Sequence, residues 1–185
     1  MSTALVAIAN GSEEIESSTV IDVLRRAQVE VTVASVEKQK TICASRAMRI
    51  EADCLIADCS DQRWDVIVLP GGMPGAERLG QCDELIALLR EQFASKRLVA
   101  AICAAPAVVL AQNNLLSQFR ATCYPAFMEQ LKSSARSCSE DNVVIDKHLI
   151  TSRGPATAMA WSLSLVSLLC GEEKATELAK ALLVY

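Results

Sequence analysis

Three short apolar runs, each followed at once by a turn and a helical pattern, constrain the fold of this chain more than any other feature. They occupy residues 4–9, 65–69 and 98–102. Runs of this length without polar alternation are typical of strands that are buried on both faces of a sheet. Because strand and helix patterns alternate along the chain, the sequence predicts an α/β fold, in which helices sandwich a mostly parallel sheet.

The remaining elements fit the same plan. A strand is predicted over residues 30–36, a short hairpin over 41–50, and a hairpin that returns to the sheet over 143–145 and 148–152. Helices are predicted from Ser12, as N-cap, to about residue 27, and then over 82–93, from 105 onward, over 154–169 and over 172–183. No repeat or linker interrupts the 185 residues, which predicts a single domain over residues 1–185.

Charge and hydropathy argue against two classes of partner. The net charge is −4 and no run of Lys or Arg forms a basic track, so nucleic acid is not expected as a main partner. No stretch approaches the roughly 20 apolar residues of a membrane span. The first residues lack the basic start and long apolar segment of a secretory signal, which predicts a cytoplasmic location.

Eight cysteines in a chain without an export signal are expected to stay reduced. There is no Cys-x-x-Cys pair; four residues separate Cys54 from Cys59, and the single histidine, His148, is far from both. This spacing does not favour a zinc site, so neither a metal nor a cofactor is expected. Seven of the cysteines are interpreted as small buried hydrophobic residues.

Cys103 is the exception, because it lies where a predicted strand runs directly into a predicted helix. Such a turn forces its central residue into a strained conformation and needs small neighbours two positions away on either side. Ala101 and Ala105 meet that need, and Pro106 suits the first turn of a helix. The sequence therefore predicts a nucleophile elbow, with a thiolate favoured by the helix N-terminus.

Backbone donors for a developing oxyanion are expected beside this elbow. One is the N–H of Ala104, and the other comes from the Gly71-Gly72 turn that follows the strand at 65–69.

Glu16 continues an apolar stripe of the first predicted helix. Residues that share its face are Val20, Val23 and Ala27. A carboxyl group facing the sheet would be desolvated, which raises its pKa toward a protonated form that can donate a hydrogen bond to a thiolate. The alternative is that Glu16, like Glu13 and Glu14, reaches solvent near the helix start.

Four segments together resemble the ThiJ/PfpI superfamily of class I glutamine amidotransferase-like domains, and within it the parkinsonism-associated protein deglycase branch. They are residues 11–16, 66–72, 100–106 and 151–155, in that order along nearly the whole chain. The resemblance implies a flavodoxin-like sheet and a homodimer. It also implies roles for individual residues: Cys103 as nucleophile and site of sulfinic acid formation, Glu16 as its protonated partner, Gly72 and Ala104 as oxyanion-type backbone donors, Arg26 and Arg46 as anion-binding residues near the pocket and dimer interface, and Gly154-Pro155 as a turn beside the pocket.

The activity that the resemblance implies is cofactor-independent glyoxalase chemistry and removal of early methylglyoxal or glyoxal adducts from proteins. Small dicarbonyl aldehydes or glycated proteins would then be the substrates. Two alternatives stay open: a redox-sensing chaperone that uses oxidation of Cys103 to a sulfinic acid, and an amidohydrolase or peptidase. Many members carry a histidine where this chain has Tyr124, and this departure argues against the peptidase.

Overall fold

Eleven strands are found in the computed structural model, which describes residues 1–184. They are β1 (Thr3–Ile8), β2 (Glu30–Ser35), β3 (Thr41–Cys43), β4 (Arg49–Glu51), β5 (Cys54–Leu55), β6 (Val66–Leu69), β7 (Leu98–Ile102), β8 (Arg120–Ala121), β9 (Ser137–Cys138), β10 (Val143–Asp146) and β11 (Leu149–Ser152). Seven of them form the central sheet in the order β10-β11-β7-β6-β1-β2-β5. All neighbours in this sheet are parallel except β10 and β11, which are antiparallel.

The α-helices of the described chain are α1 (Glu14–Arg26), α2 (Gly75–Gly80), α3 (Asp83–Ala94), α4 (Met128–Lys132), α5 (Ala158–Cys170) and α6 (Glu172–Ala181). Short 3₁₀ turns cover Ile56–Cys59, Pro125–Phe127 and Pro155–Thr157, and a π-helix covers Pro106–Ala111. A helix long and apolar enough to cross a bilayer is not found within residues 1–184.

Both faces of the sheet are covered, which explains the continuous apolar runs of the sequence. On β1, Leu5 and Ala7 pack into the core beneath α2 and α3. The alternate residues Val6 and Ile8 pack into the core beneath α1, α5 and α6. Since successive side chains of a strand point to opposite faces, each strand supplies two cores at once and must be apolar throughout.

The α/β fold with a mostly parallel sheet is confirmed. The strands β2, β1, β6, β7 and β11 lie side by side in that order, which is the flavodoxin-like arrangement. The hairpin predicted over 41–50 is the antiparallel pair β3 and β4, and the one predicted near residue 146 is β10 and β11.

Two local predictions are wrong. Ser12 does not cap α1, because its Oγ accepts a hydrogen bond from the Ala9 N–H (3.0 Å) inside the preceding turn. Glu13 is the N-cap instead, and its carboxylate accepts from the Glu16 N–H (2.8 Å). After the elbow the chain forms the short π-helix rather than a regular α-helix, with the Gln112 N–H donating to the Ala107 carbonyl five residues back.

The topology brings three segments together at the carboxyl end of the sheet. Because β1, β6 and β7 are adjacent and parallel, the turns at their carboxyl ends meet there. These turns carry residues 9–13, the Gly71-Gly72 pair and Cys103. The backbone topology alone therefore places the segments of the predicted site next to one another.

Candidate active site

Cys103 occupies a strained backbone position at the end of β7. Its φ is +63°, in the left-handed region that residues other than glycine seldom adopt. The conformation is held from both sides, since its N–H donates to the Ser152 carbonyl (3.0 Å) and its carbonyl accepts from the Tyr124 N–H (2.8 Å). Ala101 and Ala105 are fully buried on either side. The strained turn expected from the sequence is therefore present.

The Gly71-Gly72 turn packs directly against the elbow. A Cβ added to Gly71 would lie 2.5 Å from the Cys103 Cβ, closer than any two such carbons approach. Gly72 has a φ of +86°, and a Cβ there would lie 2.4 Å from the Gly11 carbonyl oxygen. The two glycines allow the backbones after β6, β1 and β7 to come into contact.

Glu16 reaches this junction from α1 and is completely buried. Its Oε2 accepts a hydrogen bond from the Gly71 N–H (2.7 Å). Its Oε1 is buried without a partner that meets hydrogen-bond geometry within residues 1–184. Val20 and Val23, on the same helical face, are also fully buried, so the stripe expected from the sequence faces the sheet.

Burial is the main reason why the pKa of Glu16 is raised to about 7 from an ordinary value of 4.5. The hydrogen bond from Gly71 and the interaction with the Cys103 thiol oppose that shift, and the nearby charge of Glu13 adds to it. A carboxyl group with such a pKa exchanges its proton near neutral pH, as an acid–base catalyst requires.

The surroundings of Cys103 act on the pKa of its thiol in opposite directions. Burial, and next the negative charge of Glu16, raise the pKa of the Cys103 thiol to about 12, although the N–H groups of Gly72 and Ala104 act to lower it. The thiol is only 9% exposed. The π-helix after it is just six residues long, so its dipole is a weak counterweight. The ionised Glu16 carboxylate therefore opposes ionisation of the Cys103 thiol, and the same carboxylate is the base that can take the thiol proton.

Ten residues line a cavity of about 350 Å³ over the elbow: Glu13, Ser45, Arg46, Gly72, Met73, Cys103, Ala104, Tyr124, Phe127 and Pro155. Five of them were expected from the sequence, namely Arg46, Gly72, Cys103, Ala104 and Pro155. Gly154 lies just behind the lining, where a Cβ would be 3.3 Å from Cδ2 of Tyr124. Gly72 and Ala104 direct their N–H groups toward the Cys103 sulfur. That these groups also stabilise an oxyanion stays a prediction.

Arg26 is not brought to this cavity. It is the last residue of α1, ten positions beyond Glu16, and its Nε forms an exposed ion pair with Asp22 (2.6 Å). An i, i+4 pair of this kind on a helix surface contributes only about 0.5 kcal/mol. The anion-binding role that the resemblance implies for Arg26 therefore has no support from its position.

Tyr124 occupies the position at which the resemblance implies a histidine. Its ring is 44% exposed and lines the cavity with Cys103. The histidine of this chain lies elsewhere, at the turn between β10 and β11, where its ring contacts Phe119 edge-on with centroids 5.0 Å apart. Within residues 1–184, no three His, Cys, Asp or Glu side chains are grouped to hold a metal ion.

Glu14 helps to shape the cavity, and sequence reasoning missed this role because it expected Glu14 to reach solvent. It is only 9% exposed, and its carboxylate accepts from the Ser45 hydroxyl and from the Arg46 N–H, both at 2.6 Å. Burial alone would raise the pKa of Glu14, but these hydrogen bonds outweigh it and lower the pKa. Glu14 thus fixes the loop that places Arg46 at the cavity, and nothing in its spacing distinguishes it from Glu13.

Comparison with known proteins identifies the relatives of this arrangement. The model of the DJ-1/PfpI family matches residues 2–168. The chain belongs to the DJ-1/PfpI family. A solved structure of an oxidized DJ-1 from Toxoplasma gondii superposes on it with a TM-score of 0.97, at 41% sequence identity and with each chain fully covered. The family resemblance and the flavodoxin-like fold expected from the sequence are both confirmed.

Two relatives are informative, one because it is longer than this chain and the other because its name states an activity. Protein DJ-1 homolog A of Arabidopsis thaliana is 44% identical over 182 residues, which are 98% of this chain and 46% of that protein. The chain thus spans about half the length of this relative. A protein of Caenorhabditis elegans named glutathione-independent glyoxalase DJR-1.2 is 37% identical over 171 residues, covering 92% of this chain and 90% of that protein.

The raised pKa of Glu16 leads to a stability prediction for Glu16→Gln. In the unfolded chain the carboxyl ionises at about 4.5 but in the folded chain at about 7, so ionisation above pH 4.5 favours unfolding. Removing the charge should raise the free energy of unfolding by about 3 kcal/mol above pH 7. The gain should shrink as pH falls and vanish below the unfolded pKa. Urea denaturation at pH 4, 6 and 8 measures it.

The same exchange at the exposed Glu30 serves as the control and should change the free energy of unfolding by no more than about 0.5 kcal/mol. An identical pH dependence in wild type and Glu16→Gln would contradict the buried, perturbed carboxyl group.

Proposed function

We propose that this protein is a cysteine-dependent, cofactor-independent glyoxalase and protein deglycase that acts on methylglyoxal, glyoxal and their early adducts. The observation that carries the proposal is a single buried pair: the Cys103 thiol beside a carboxyl group, Glu16, whose pKa of about 7 suits proton transfer. The name of the Caenorhabditis elegans relative, a glutathione-independent glyoxalase, points the same way.

The reaction begins at the aldehyde carbon. The Cys103 sulfur bonds to it while the Glu16 carboxylate takes the thiol proton, and the carbonyl oxygen becomes the hydroxyl of a hemithioacetal. During this step the N–H groups of Gly72 and Ala104 stabilise the negative oxygen. Once the sulfur is bonded to carbon, Glu16 passes its proton to that oxygen.

In the second half of the reaction, proton transfers convert the hemithioacetal into a thioester. Glu16 removes the proton on the former aldehyde carbon, giving an enediolate. The hydroxyl proton on that carbon's oxygen then moves to the neighbouring oxygen while Glu16 returns its proton to the neighbouring carbon, giving a thioester. Water then cleaves the carbon–sulfur bond and releases lactate from methylglyoxal or glycolate from glyoxal. One carbon is oxidised and its neighbour is reduced, so no external oxidant or reductant is needed.

The shape of the cavity supports substrates of this kind. A volume of about 350 Å³ accommodates a three-carbon dicarbonyl with room beside it. Cys103 is 9% exposed, so a slender aldehyde reaches the sulfur more readily than a bulky group does. For an early adduct, Cys103 attacks the same carbon and the protein amine or thiol is the leaving group.

Turnover of methylglyoxal without glutathione tests the proposal. Wild type should form lactate, and Cys103→Ser should be inert because it has no thiol to add to the aldehyde. Glu16→Gln should lose about 10²–10⁴-fold in kcat/KM, since a positioned acid–base group contributes that much. Cys82→Ser, remote from the cavity lining, is the matched control and should retain full activity.

The alternative is a redox-sensing chaperone in which Cys103 is oxidised to a sulfinic acid, and it has its own support in the oxidized state of the Toxoplasma gondii structure. Negligible turnover together with preferential peroxide dioxidation of Cys103 and protection of a client protein would favour it. Full turnover by Cys103→Ser would contradict both functions.

We also propose that two copies associate, as the family resemblance implies. Ile15 and Met48 are both more than half exposed. Met48 lies in a shallow groove against Ser18 and Asp22 of the outer face of α1, so these elements form a surface that a second copy can cover. Sedimentation equilibrium should give twice the chain mass for wild type and a lower association constant for Met48→Glu. A monomer at all concentrations would contradict this proposal.

A further inference from the structure

Two cysteine sulfurs meet at the edge of the central sheet. The Sγ atoms of Cys54 and Cys59 are 3.5 Å apart. Cys54 belongs to β5, the last strand at that edge, and Cys59 ends the 3₁₀ turn that follows it. Within residues 1–184 no other two cysteine sulfurs are within hydrogen-bonding distance of each other, so this contact sets the pair apart from the remaining thiols.

The two thiols differ in environment. Cys54 is partly exposed, whereas Cys59 is 2% exposed and packs with Ile56 and Trp64 in the core beneath α3. Burial first, and then the hydrogen bond with Cys54, raise the pKa of Cys59 to about 12. Cys59 therefore holds its proton, and Cys54, the more exposed of the two, is the thiol that solvent-borne reagents reach first.

We propose that Cys54 and Cys59 form a reversible dithiol–disulfide site that hydroperoxides oxidise independently of Cys103. The Cys54 thiolate attacks a peroxide oxygen, breaking the O–O bond; it becomes a sulfenic acid and the peroxide is reduced to an alcohol, or to water from hydrogen peroxide. The Cys59 sulfur then displaces the sulfenic oxygen, which leaves as water with the Cys59 proton, and the S–S bond forms. Two thiols are oxidised for each peroxide reduced.

To form the bond, the sulfurs must close from 3.5 Å to about 2 Å. β5 is held to β2 by only two residue pairs, Ala34 with Cys54 and Ser35 with Leu55. The turn between the cysteines carries the exposed residues Ala57 and Asp58. A small rotation of this segment does not require any strand of the sheet interior to move.

The chemical outcome differs from that expected at Cys103. A disulfide returns to two thiols when a small dithiol is added, whereas a sulfinic acid does not. The pair would thus record peroxide exposure reversibly at the sheet edge while the cavity remains unchanged. This inference does not depend on the proposed glyoxalase activity.

The chain offers a direct test, because trypsin releases both cysteines in one peptide, residues 50–63, between Arg49 and Arg63. After mild hydrogen peroxide, denaturation and iodoacetamide, this peptide should be unalkylated and lighter than its reduced, unalkylated form by two hydrogen atoms. Dithiothreitol should restore alkylation at both positions. The Cys103→Ser protein should behave in the same way, which separates this result from events at the elbow.

Single variants define the order of events. In Cys59→Ser, Cys54 should stop as a sulfenic acid that dimedone traps; in Cys54→Ser, Cys59 should remain fully alkylated. Cys43→Ser, which removes an exposed cysteine outside the pair, is the matched control and should still form the link. The proposal is overturned if both cysteines stay alkylated at a peroxide dose that oxidises Cys103, if the link joins two chains, or if Cys54 is dioxidised equally in wild type and Cys59→Ser.

Discussion

A carboxyl group and a thiol are packed against each other in this structure, and the side chain that carries the carboxyl group is fully buried. The Gly71 N–H holds Oε2 of Glu16 at 2.7 Å, and the same glycine brings the backbone after β6 against the Cys103 Cβ. A side chain at position 71 would separate the two groups. Since burial raises the pKa of both, each proton that leaves the pair is governed by the other group.

The rest of the fold keeps this pair in place. Parallel pairing of β1, β6 and β7 fixes the height at which their turns meet, and the covering of both sheet faces keeps the strands from shifting. Hydrogen bonds from Cys103 to Ser152 and from Tyr124 to Cys103 hold the left-handed backbone that aims the thiol into the cavity. Strain of about 1–3 kcal/mol at such a residue persists only where neighbours determine the conformation this fully.

Much of this architecture follows from local sequence, whereas the electrostatics do not. Apolar runs predict buried parallel strands, and the small residues around Cys103 predict its strained turn, because both are short-range steric effects. The ionisation state of Cys103 does not follow from its turn alone, since it depends on burial and on the charge of Glu16 as well as on the following helix. Glu14 was misplaced for a related reason: the spacing of residues along a helix shows which of them share a side, but not which loop will fold over them.

The most direct test of the central claim is the rate at which iodoacetamide alkylates Cys103 across a pH series, followed on the peptide that contains it. If Glu16 controls the thiol proton, the wild-type rate rises through an inflection near pH 7, where Glu16 becomes able to accept that proton. In Glu16→Gln this inflection disappears. A wild-type profile that matches the variant, or that follows an ordinary thiol with a pKa of about 8.5, would contradict the account.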